Sequence, residues 1–278
     1  PSQRTFSYPA HTNGYAYPYI NKEVLQETLP FLSTLSVFSY GFTPEGELIP
    51  PTVDDTFMIT AARSSGTNPL LTLTPFGPDG MFNNNLITSL VNSEEAKKTL
   101  LGNLLATLDS SDFAGVDIDF EYILPQDRVP FADFVAQTRD FLAPYGYPVS
   151  VALAPKTSDS QQGTLYEGMD YALLGEAADS VLLMTYEWGY TFGPPMAVAP
   201  VNKVREVVDY AVTRIDPAKI DLGIPNYGYD FTLPYERGVS RARTLSNHQA
   251  VQLAISVDAP ISFDEIAMSP FFQYEKDG

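Results

Sequence analysis

Segments typical of β-strands alternate with segments typical of amphipathic helices along most of this chain. Short apolar runs bounded by Gly, Pro, Asn or Ser indicate strands, and apolar residues spaced three or four apart indicate helices. This alternation is typical of parallel α/β folds. The predicted strands are Thr12–Ile20, Leu35–Phe42, Asn68–Phe76, Phe113–Leu124, Val149–Lys156, Ser180–Trp188 and Ile220–Tyr229. The predicted helices are Lys22–Leu32, Val53–Ala62, Glu94–Leu108, Pro130–Leu142, Met169–Ala177 and Pro200–Arg214.

Seven strand-and-helix units in succession favour one particular α/β architecture. No Gly-rich phosphate-binding fingerprint follows the first strand, which argues against an open dinucleotide-binding sheet. We therefore predict a (β/α)8 TIM-type barrel, formed by a single domain over residues 1–278. No eighth barrel strand is found in residues 230–278, which read as an irregular region, so we expect the barrel to lack its last strand and helix in this chain.

Two helix starts carry capping patterns. Asn92 followed by Glu95 predicts the start of the helix at Glu94, and Ser246 with Gln249 forms a capping box for a helix that ends near Ile255. After that helix, two short extended pieces predict a hairpin ahead of the missing strand. They are Ile261–Glu265 and Phe271–Glu275.

Three carboxylates follow one another at alternate positions in the fourth predicted strand. Asp117, Asp119 and Glu121 alternate with apolar residues, so they are expected on one face, roughly 6.6 Å apart along the chain. A buried ionised carboxylate is costly, so packing alone does not explain three in a row. Like charges at this range raise a pKa, which would let Glu121 act as a general acid, as glycoside hydrolysis requires. A metal site and a solvated edge strand are the other interpretations of this pattern.

The composition excludes several other functions. A net charge of −18 and a pI near 4.3 argue against binding to nucleic acid, and no basic run is present. The chain has no cysteine, which excludes thiol catalysis and disulfides. No apolar run approaches the length of a membrane span, so we predict no membrane insertion. The two histidines, His11 and His248, have no spacing that indicates a metal site, and no cofactor motif is seen.

Aromatic and polar residues concentrate where the predicted strands end. In a TIM-type barrel these positions meet at one face, where active sites form. Aromatic rings beside amide and carboxylate groups suit a sugar, whose C–H face packs on a ring while its hydroxyls form hydrogen bonds. The residues at these positions include Tyr17, Tyr19, Tyr40, Phe76, Glu121, Tyr122, Lys156, Tyr186, Glu187, Trp188, Asn226, Tyr227 and Tyr229.

Several of these motifs resemble glycoside hydrolase family 18, the chitinase family. GVDIDFE at Gly115–Glu121 resembles the family's D-x-x-D-x-D-x-E signature, and Met184–Tyr186 resembles its M-x-Y element. Within the family, the chain is most similar to bacterial spore-cortex and spore-germination N-acetylglucosaminidases. That similarity includes MTYEWGY with GPPMAVAP at Met184–Pro200, GIPNYGYD at Gly223–Asp230 and the RARTLSN run from Arg241.

The resemblance implies a retaining mechanism in which the 2-acetamido oxygen of the substrate attacks the anomeric carbon. Glu121 would protonate the leaving oxygen and later activate water, and Asp119 would hold the acetamide N–H. Asp117 would tune Asp119, and Tyr186 would donate its hydroxyl to the acetamide oxygen. The remaining candidates for sugar binding are Tyr40, Tyr122, Glu187, Trp188, Asn226 and Tyr227. The family needs no metal or cofactor.

The implied function is hydrolysis of N-acetylglucosaminyl bonds in peptidoglycan, with spore cortex as one source. The partner would be a polysaccharide or oligosaccharide that contains N-acetylglucosamine, and the location would be extracellular or on the bacterial spore or cell wall, although no export signal is visible in this chain. Alternatives are a chitinase that acts on chitooligosaccharides, a non-catalytic sugar-binding module on the same scaffold, and a metal-dependent phosphatase or nucleotide-sugar transferase. The S-x-G-G element of chitinases is absent from the third strand, and the family's eighth strand would lie beyond Gly278.

Overall fold

The computed structural model describes residues 10–276 as two compact units. The first unit comprises residues 10–153, Gln162–Leu182 and Ala218–Asp221, and the second comprises Ala154–Gln161, Leu183–Pro217 and residues 222–276. The single-domain organisation stays a prediction.

The first unit is built around a sheet of parallel strands with intervening helices. Its strands are β1 Asn13–Ala16, β2 Thr34–Phe42, β3 Leu48–Ile49, β4 Asn68–Leu73, β5 Gly115–Ile118, β6 Val149–Leu153, β7 Ser180–Leu183 and β8 Ile220–Leu222, except that the last residue of β7 and of β8 is assigned to the second unit. Its helices are α1 Lys22–Thr28, α2 Thr56–Ser64, α3 Asn85–Val91, α4 Glu94–Ser111, α5 Arg128–Leu142 and α6 Tyr171–Ala177, and short 3-10 turns cover Leu29–Phe31, Pro125–Asp127, Ala143–Tyr145 and Pro217–Lys219.

The strands pair in the order in which they occur in the sequence, β1-β2-β4-β5-β6-β7-β8, with the short β3 antiparallel to β2. This order confirms the predicted α/β class, and in the described part of the chain no eighth parallel strand joins the sheet. His11, just before β1, places Nδ1 3.1 Å from Oδ1 of Asp221 in β8. Because this contact joins the first strand to the last, the sheet must curve.

The core of this unit packs strand residues against the helices. Buried Val116 and Ile118 of β5 continue into Phe120, whose ring stacks on Phe42 at 5.5 Å and on Phe131 of α5 at 5.6 Å between ring centroids. Burial of each such side chain contributes about 1.5–3 kcal/mol. The acidic residues are therefore anchored by large apolar neighbours on the same segment.

The second unit carries less regular structure. It contains α7 Val201–Ala211, β9 Tyr227–Asp230, β10 Arg243–Ser246, α8 Asn247–Ser256, β11 Ser262–Asp264 and β12 Ser269–Phe271. The strands form two antiparallel pairs, β9 with β10 and β11 with β12. The predicted capping box of α8 is confirmed. A hairpin also follows α8, but its second strand is Ser269–Phe271 and not the predicted Phe271–Glu275.

Several predicted elements are longer than the observed ones, and three strands near the acidic run or the end of the sheet show why. The predicted strand Ile220–Tyr229 divides into β8 and β9, because Pro225 lies between them and cannot donate to a sheet. The fourth strand ends at Ile118, so only the first of the three carboxylates lies within it. The first strand ends at Ala16, before a turn in which the Ile20 N–H donates to the Tyr17 carbonyl at 3.0 Å.

The helix cap predicted at Asn92 is also wrong. The hydroxyl of Ser93 caps α4 by accepting from the Ala96 N–H at 3.2 Å. The Asn92 side chain donates instead to the Thr88 carbonyl and to Asp127, each at 2.9 Å. Asn92 is the C-cap of the preceding helix α3, a helix that the sequence prediction did not include.

Candidate active site

The carboxylates of the acidic run lie at the carboxyl end of β5 in the first unit. Asp117 is the third residue of the strand, opposite Thr72 in β4 and Ser150 in β6. Asp119 and Glu121 follow the strand, and the Asp119 N–H still donates to the Leu73 carbonyl at 2.9 Å. This edge of a parallel sheet is where active residues of α/β proteins gather.

Asp117 is buried and bridges its neighbours through hydroxyl groups. Ser36 in β2 and Ser150 in β6 donate to its two carboxylate oxygens at 3.0 and 2.7 Å. Burial raises the pKa of Asp117, and hydrogen bonds from Tyr15, Ser150 and Ser36 oppose that rise. The carboxyl is thus held rigidly behind Asp119.

Asp119 has a more strongly raised pKa than Asp117. Its pKa is raised well above the usual range, first by burial, then by the negative charges of Glu121 and Asp117. Its Oδ1 is buried and has no hydrogen-bond partner among the described residues. A buried polar atom left unpaired costs about 1–3 kcal/mol, so this oxygen is suited to accept a donor from a ligand. The predicted rise in the pKa of Glu121 stays a prediction.

The turn that carries Glu121 is fixed from outside the strand. Tyr122 has a left-handed backbone with φ 55°, and its carbonyl accepts a hydrogen bond from the Asn84 side chain at 3.1 Å. Tyr122 is 43% exposed, and its ring packs edge-on against Phe82. Behind the turn, a Cβ added to Gly168 would meet the Ile123 carbonyl oxygen at 2.0 Å, so only glycine allows this close approach. Tyr122 is therefore available to a ligand at the rim.

Tyr40, predicted to bind substrate, lies in the core. It is 5% exposed, its hydroxyl donates to Asp55 at 2.9 Å, and its ring packs edge-on against Phe113. Burial, followed by the charge of Asp55, raises the pKa of the Tyr40 hydroxyl above its usual range. We assign Tyr40 a packing role and leave it out of the proposed site.

Two tyrosines that the sequence analysis placed at a strand end, without assigning them a binding role, lie near Asp119. Tyr17 and Tyr19 follow β1, and their rings stack at 4.9 Å with an interplanar angle of 14°. Burial, then the charges of Tyr19 and Asp119, raise the pKa of Tyr17, which puts Tyr17 within electrostatic reach of that carboxyl. The tyrosine-rich segment after the first strand was the available signal.

The second unit holds the other predicted site residues. Tyr186 follows β7, and its ring lies so close to Gly223 that an added Cβ would be 2.7 Å from Cε1. Glu187 has a left-handed backbone with φ 67° and accepts hydrogen bonds from the Tyr227 hydroxyl and, at 2.8 Å, from the Tyr229 hydroxyl. The structure thus brings Glu187 and Tyr227 together.

Burial, followed by the hydrogen bond to Glu187, raises the pKa of Tyr229 to about 12 and that of Tyr227 still further. Both hydroxyls therefore remain protonated donors. Trp188 is partly exposed, and its backbone N–H donates to the Val198 carbonyl at 3.0 Å. Asn226 is exposed just before β9.

The described residues contain no group of three His, Asp or Glu side chains that could hold a metal ion. Between residues 10 and 276 no helix is both long and apolar enough to cross a bilayer. The first unit holds two carboxyl groups with raised pKa values, those of Asp117 and Asp119. The second unit holds the Glu187 carboxylate and the two tyrosine hydroxyls that donate to it. That the two sets act on one sugar stays a prediction.

Comparison with known proteins gives consistent matches. The model of the glycosyl hydrolases family 18 matches residues 72–276. The cortical fragment-lytic enzyme of Bacillus subtilis strain 168 is 39% identical over 269 residues, which cover 95% of this chain and 62% of that protein. The chain spans only 56% to 62% of the length of the curated cortical fragment-lytic enzymes that it matches.

Solved structures agree on the fold. The spore cortex-lytic enzyme SleL of Bacillus cereus matches with a TM-score of 0.90 and 32% identity, over 96% of this chain and 62% of that one. A chitinase from Chromobacterium violaceum matches with a TM-score of 0.87 and 22% identity, over 96% of this chain and 83% of that one, which shows a shared fold alone. Since the family model covers more than half of its residues, the chain belongs to the glycosyl hydrolases of family 18.

Proposed function

We propose that this chain is a glycosidase that hydrolyses N-acetylglucosaminyl bonds in peptidoglycan, with spore cortex fragments as its substrate. The observation that carries the proposal is the Asp119 carboxyl, which has a raised pKa and an unpaired buried oxygen beside Glu121. The cortical fragment-lytic relatives support peptidoglycan as the substrate class, and they support a location at the spore or cell wall.

The proposed reaction proceeds with retention and without an enzyme nucleophile. Glu121 transfers its proton to the leaving glycosidic oxygen while the acetamide oxygen of the substrate bonds to the anomeric carbon. Asp119 accepts a hydrogen bond from the acetamide N–H and stabilises the positive charge that develops on the ring formed when the acetamide oxygen bonds to the anomeric carbon. Glu121, now a carboxylate, then takes a proton from water, whose oxygen attacks the anomeric carbon and releases the acetamide.

The remaining candidates have binding roles in this proposal. Tyr186 donates its hydroxyl to the acetamide oxygen, and Glu187 with Tyr227 binds sugar hydroxyls. Trp188, Asn226 and the exposed ring of Tyr122 complete the contacts. The stacked pair Tyr17 and Tyr19 offers a flat apolar face to a further sugar, since aromatic rings pack well against sugar C–H groups.

The test measures new reducing ends after incubation with spore cortex fragments and, separately, with chitooligosaccharides. Mass spectrometry identifies the cleaved bond, and proton NMR of early products reads the anomeric configuration, which we expect to be retained. Glu121→Gln removes the transferable proton and should lower kcat by about 10²–10⁴-fold. Unchanged turnover in this variant, or no turnover by the wild type, would refute the proposal.

A further inference from the structure

One segment of the second unit is basic, although the chain as a whole is strongly acidic. Residues 235–243, here called the arginine segment, contain Arg237, Arg241 and Arg243 but only one acid, Glu236. The whole chain has 34 acids and 16 Lys and Arg. Where acids outnumber bases in this way, basic side chains are expected to pair with them, so a local excess of arginine needs its own explanation.

The arginine segment is fixed at both ends to the loop that follows Trp188. Near its start, the Tyr235 hydroxyl donates to the Phe192 carbonyl at 3.0 Å. Near its end, the Ala242 N–H donates to the Thr191 carbonyl at 2.7 Å. These bonds hold the segment beside the part of the chain that carries the proposed sugar-binding residues.

The same segment leads directly into β10, which pairs with β9. In that pair Arg243 is opposite Asp230 and Thr244 is opposite Tyr229. Arg243 forms an ion pair with Asp230 at 3.0 Å, and the Asp230 carboxylate also accepts from the Tyr274 hydroxyl at 2.9 Å. Arg243 is therefore already neutralised, and it helps to hold the tyrosines that bind Glu187.

Arg241 and Arg237 differ from Arg243 in this respect. Neither forms an ion pair with an acid among the residues that the structure describes, and both are exposed. The Arg241 guanidinium lies 5.8 Å from the centroid of the Phe192 ring, which holds it in place. Arg237 is carried on a tight turn in which the Ser240 N–H donates to the Glu236 carbonyl at 2.9 Å.

A guanidinium held against a ring keeps its N–H edge free for a planar anion. Carboxylates match this edge, since two parallel hydrogen bonds can form. Neutral chitooligosaccharides present no such group, whereas peptidoglycan carries carboxylates on its peptide substituents. The position of the segment, fixed to the loop after Trp188, places this anion-binding edge on the unit that holds Glu187 and Tyr227.

We propose that Arg241, assisted by Arg237, binds a carboxylate on the peptide substituents of the glycan and so selects acidic peptidoglycan fragments over neutral chitooligosaccharides. This inference rests on the proposed glycosidase function and names a specificity site for it. Arg241 is a binding residue in this scheme and takes no part in the bond cleavage.

The experiment compares three substrates: peptidoglycan fragments with intact peptide carboxylates, the same fragments after amidation of those carboxylates, and chitohexaose. Arg241→Gln should lower kcat/KM on the intact fragments about tenfold, the effect of losing one charge-assisted hydrogen bond of about 1.4 kcal/mol, and leave the other two substrates unchanged. Arg237→Gln added to it should lower the value further. Amidation should lower the wild-type value by a similar factor, and Arg241→Lys should restore part of the loss.

The matched control is Arg205→Gln, which removes one exposed positive charge from α7 in the same unit. Equal losses in Arg205→Gln and Arg241→Gln, or an equal loss for Arg241→Gln on chitohexaose, would overturn the inference. In both cases the wild type still cleaves its substrates, so the proposed function stands. If the wild type cleaves none of the three, the proposed function itself has failed.

Discussion

Replacing Asp119 by asparagine should make the folded protein more stable at neutral pH. The wild-type carboxyl has one buried oxygen without a partner among the described residues, and two acids raise its pKa in addition to burial. Asparagine keeps a buried oxygen at this position but cannot ionise, so it avoids the additional cost of burying a charge, which exceeds the cost of about 1–3 kcal/mol for a neutral unpaired group. We therefore expect Asp119→Asn to raise the free energy of unfolding by about 2 kcal/mol at pH 8, with loss of most activity.

The effect should depend on pH with a defined sign. Because the pKa of Asp119 is higher in the folded state than in the unfolded state, the unfolded state binds fewer protons in the window between the two values. The stability that this carboxyl contributes is fully present below its unfolded pKa of about 3.9 and is lost as the pH rises through the folded value. The advantage of asparagine should therefore be near zero at pH 4 and grow towards pH 8.

Urea unfolding followed by far-ultraviolet circular dichroism, at several pH values from 4 to 8, measures this difference. The control is Asp133→Asn on the exposed face of α5, which should change stability little at any pH. An Asp119→Asn variant that is less stable than wild type at pH 8, or a difference that stays constant with pH, would refute the reasoning.

Three further changes follow from the site geometry. Ser150→Ala removes the 2.7 Å hydrogen bond to Asp117 and should lower the free energy of unfolding by about 1.5–3 kcal/mol at pH 8, but less at pH 5. Urea titrations at both pH values measure these losses, and equal losses would contradict the prediction. Gly168→Ala forces a Cβ against the Ile123 carbonyl and should lower that free energy by about 1–3 kcal/mol and reduce turnover; a variant as stable and active as wild type would argue against it. Glu187→Gln weakens the acceptor of two tyrosine hydroxyls and should raise KM about tenfold with kcat nearly unchanged; steady-state kinetics that show a fall in kcat alone would count against a binding role.

The order of strands and helices could be predicted because each element carries its own apolar pattern and most carry a boundary signal. The capping box at Ser246 depends only on residues three apart, and the structure contains it. The ends of the strands were harder to predict from the sequence, since a strand ends where its partner stops pairing. β5 ends at Ile118, although polar and apolar residues continue to alternate after it. The apolar run around Pro225 reads as one strand in the sequence, but its two halves belong to different sheets.

The acidic residues of the candidate site could be found from the sequence because ionisable groups are unusual in an apolar run. Their partners could not, because they come from other strands. Ser36 and Ser150 meet Asp117 only through the pairing register, and the contact of Glu187 with Tyr229 joins residues 42 positions apart. Tyr40 was misjudged for a related reason, since position at a strand end does not reveal which side chains turn into the core.

The hydrogen bond from Asn84 to the Tyr122 carbonyl links a surface loop to the peptide next to the proposed acid. A change in that loop could therefore alter catalysis without touching any ligand, because it would release the backbone that aims Glu121. Efforts to shorten or stiffen the loop for heat tolerance should preserve this amide.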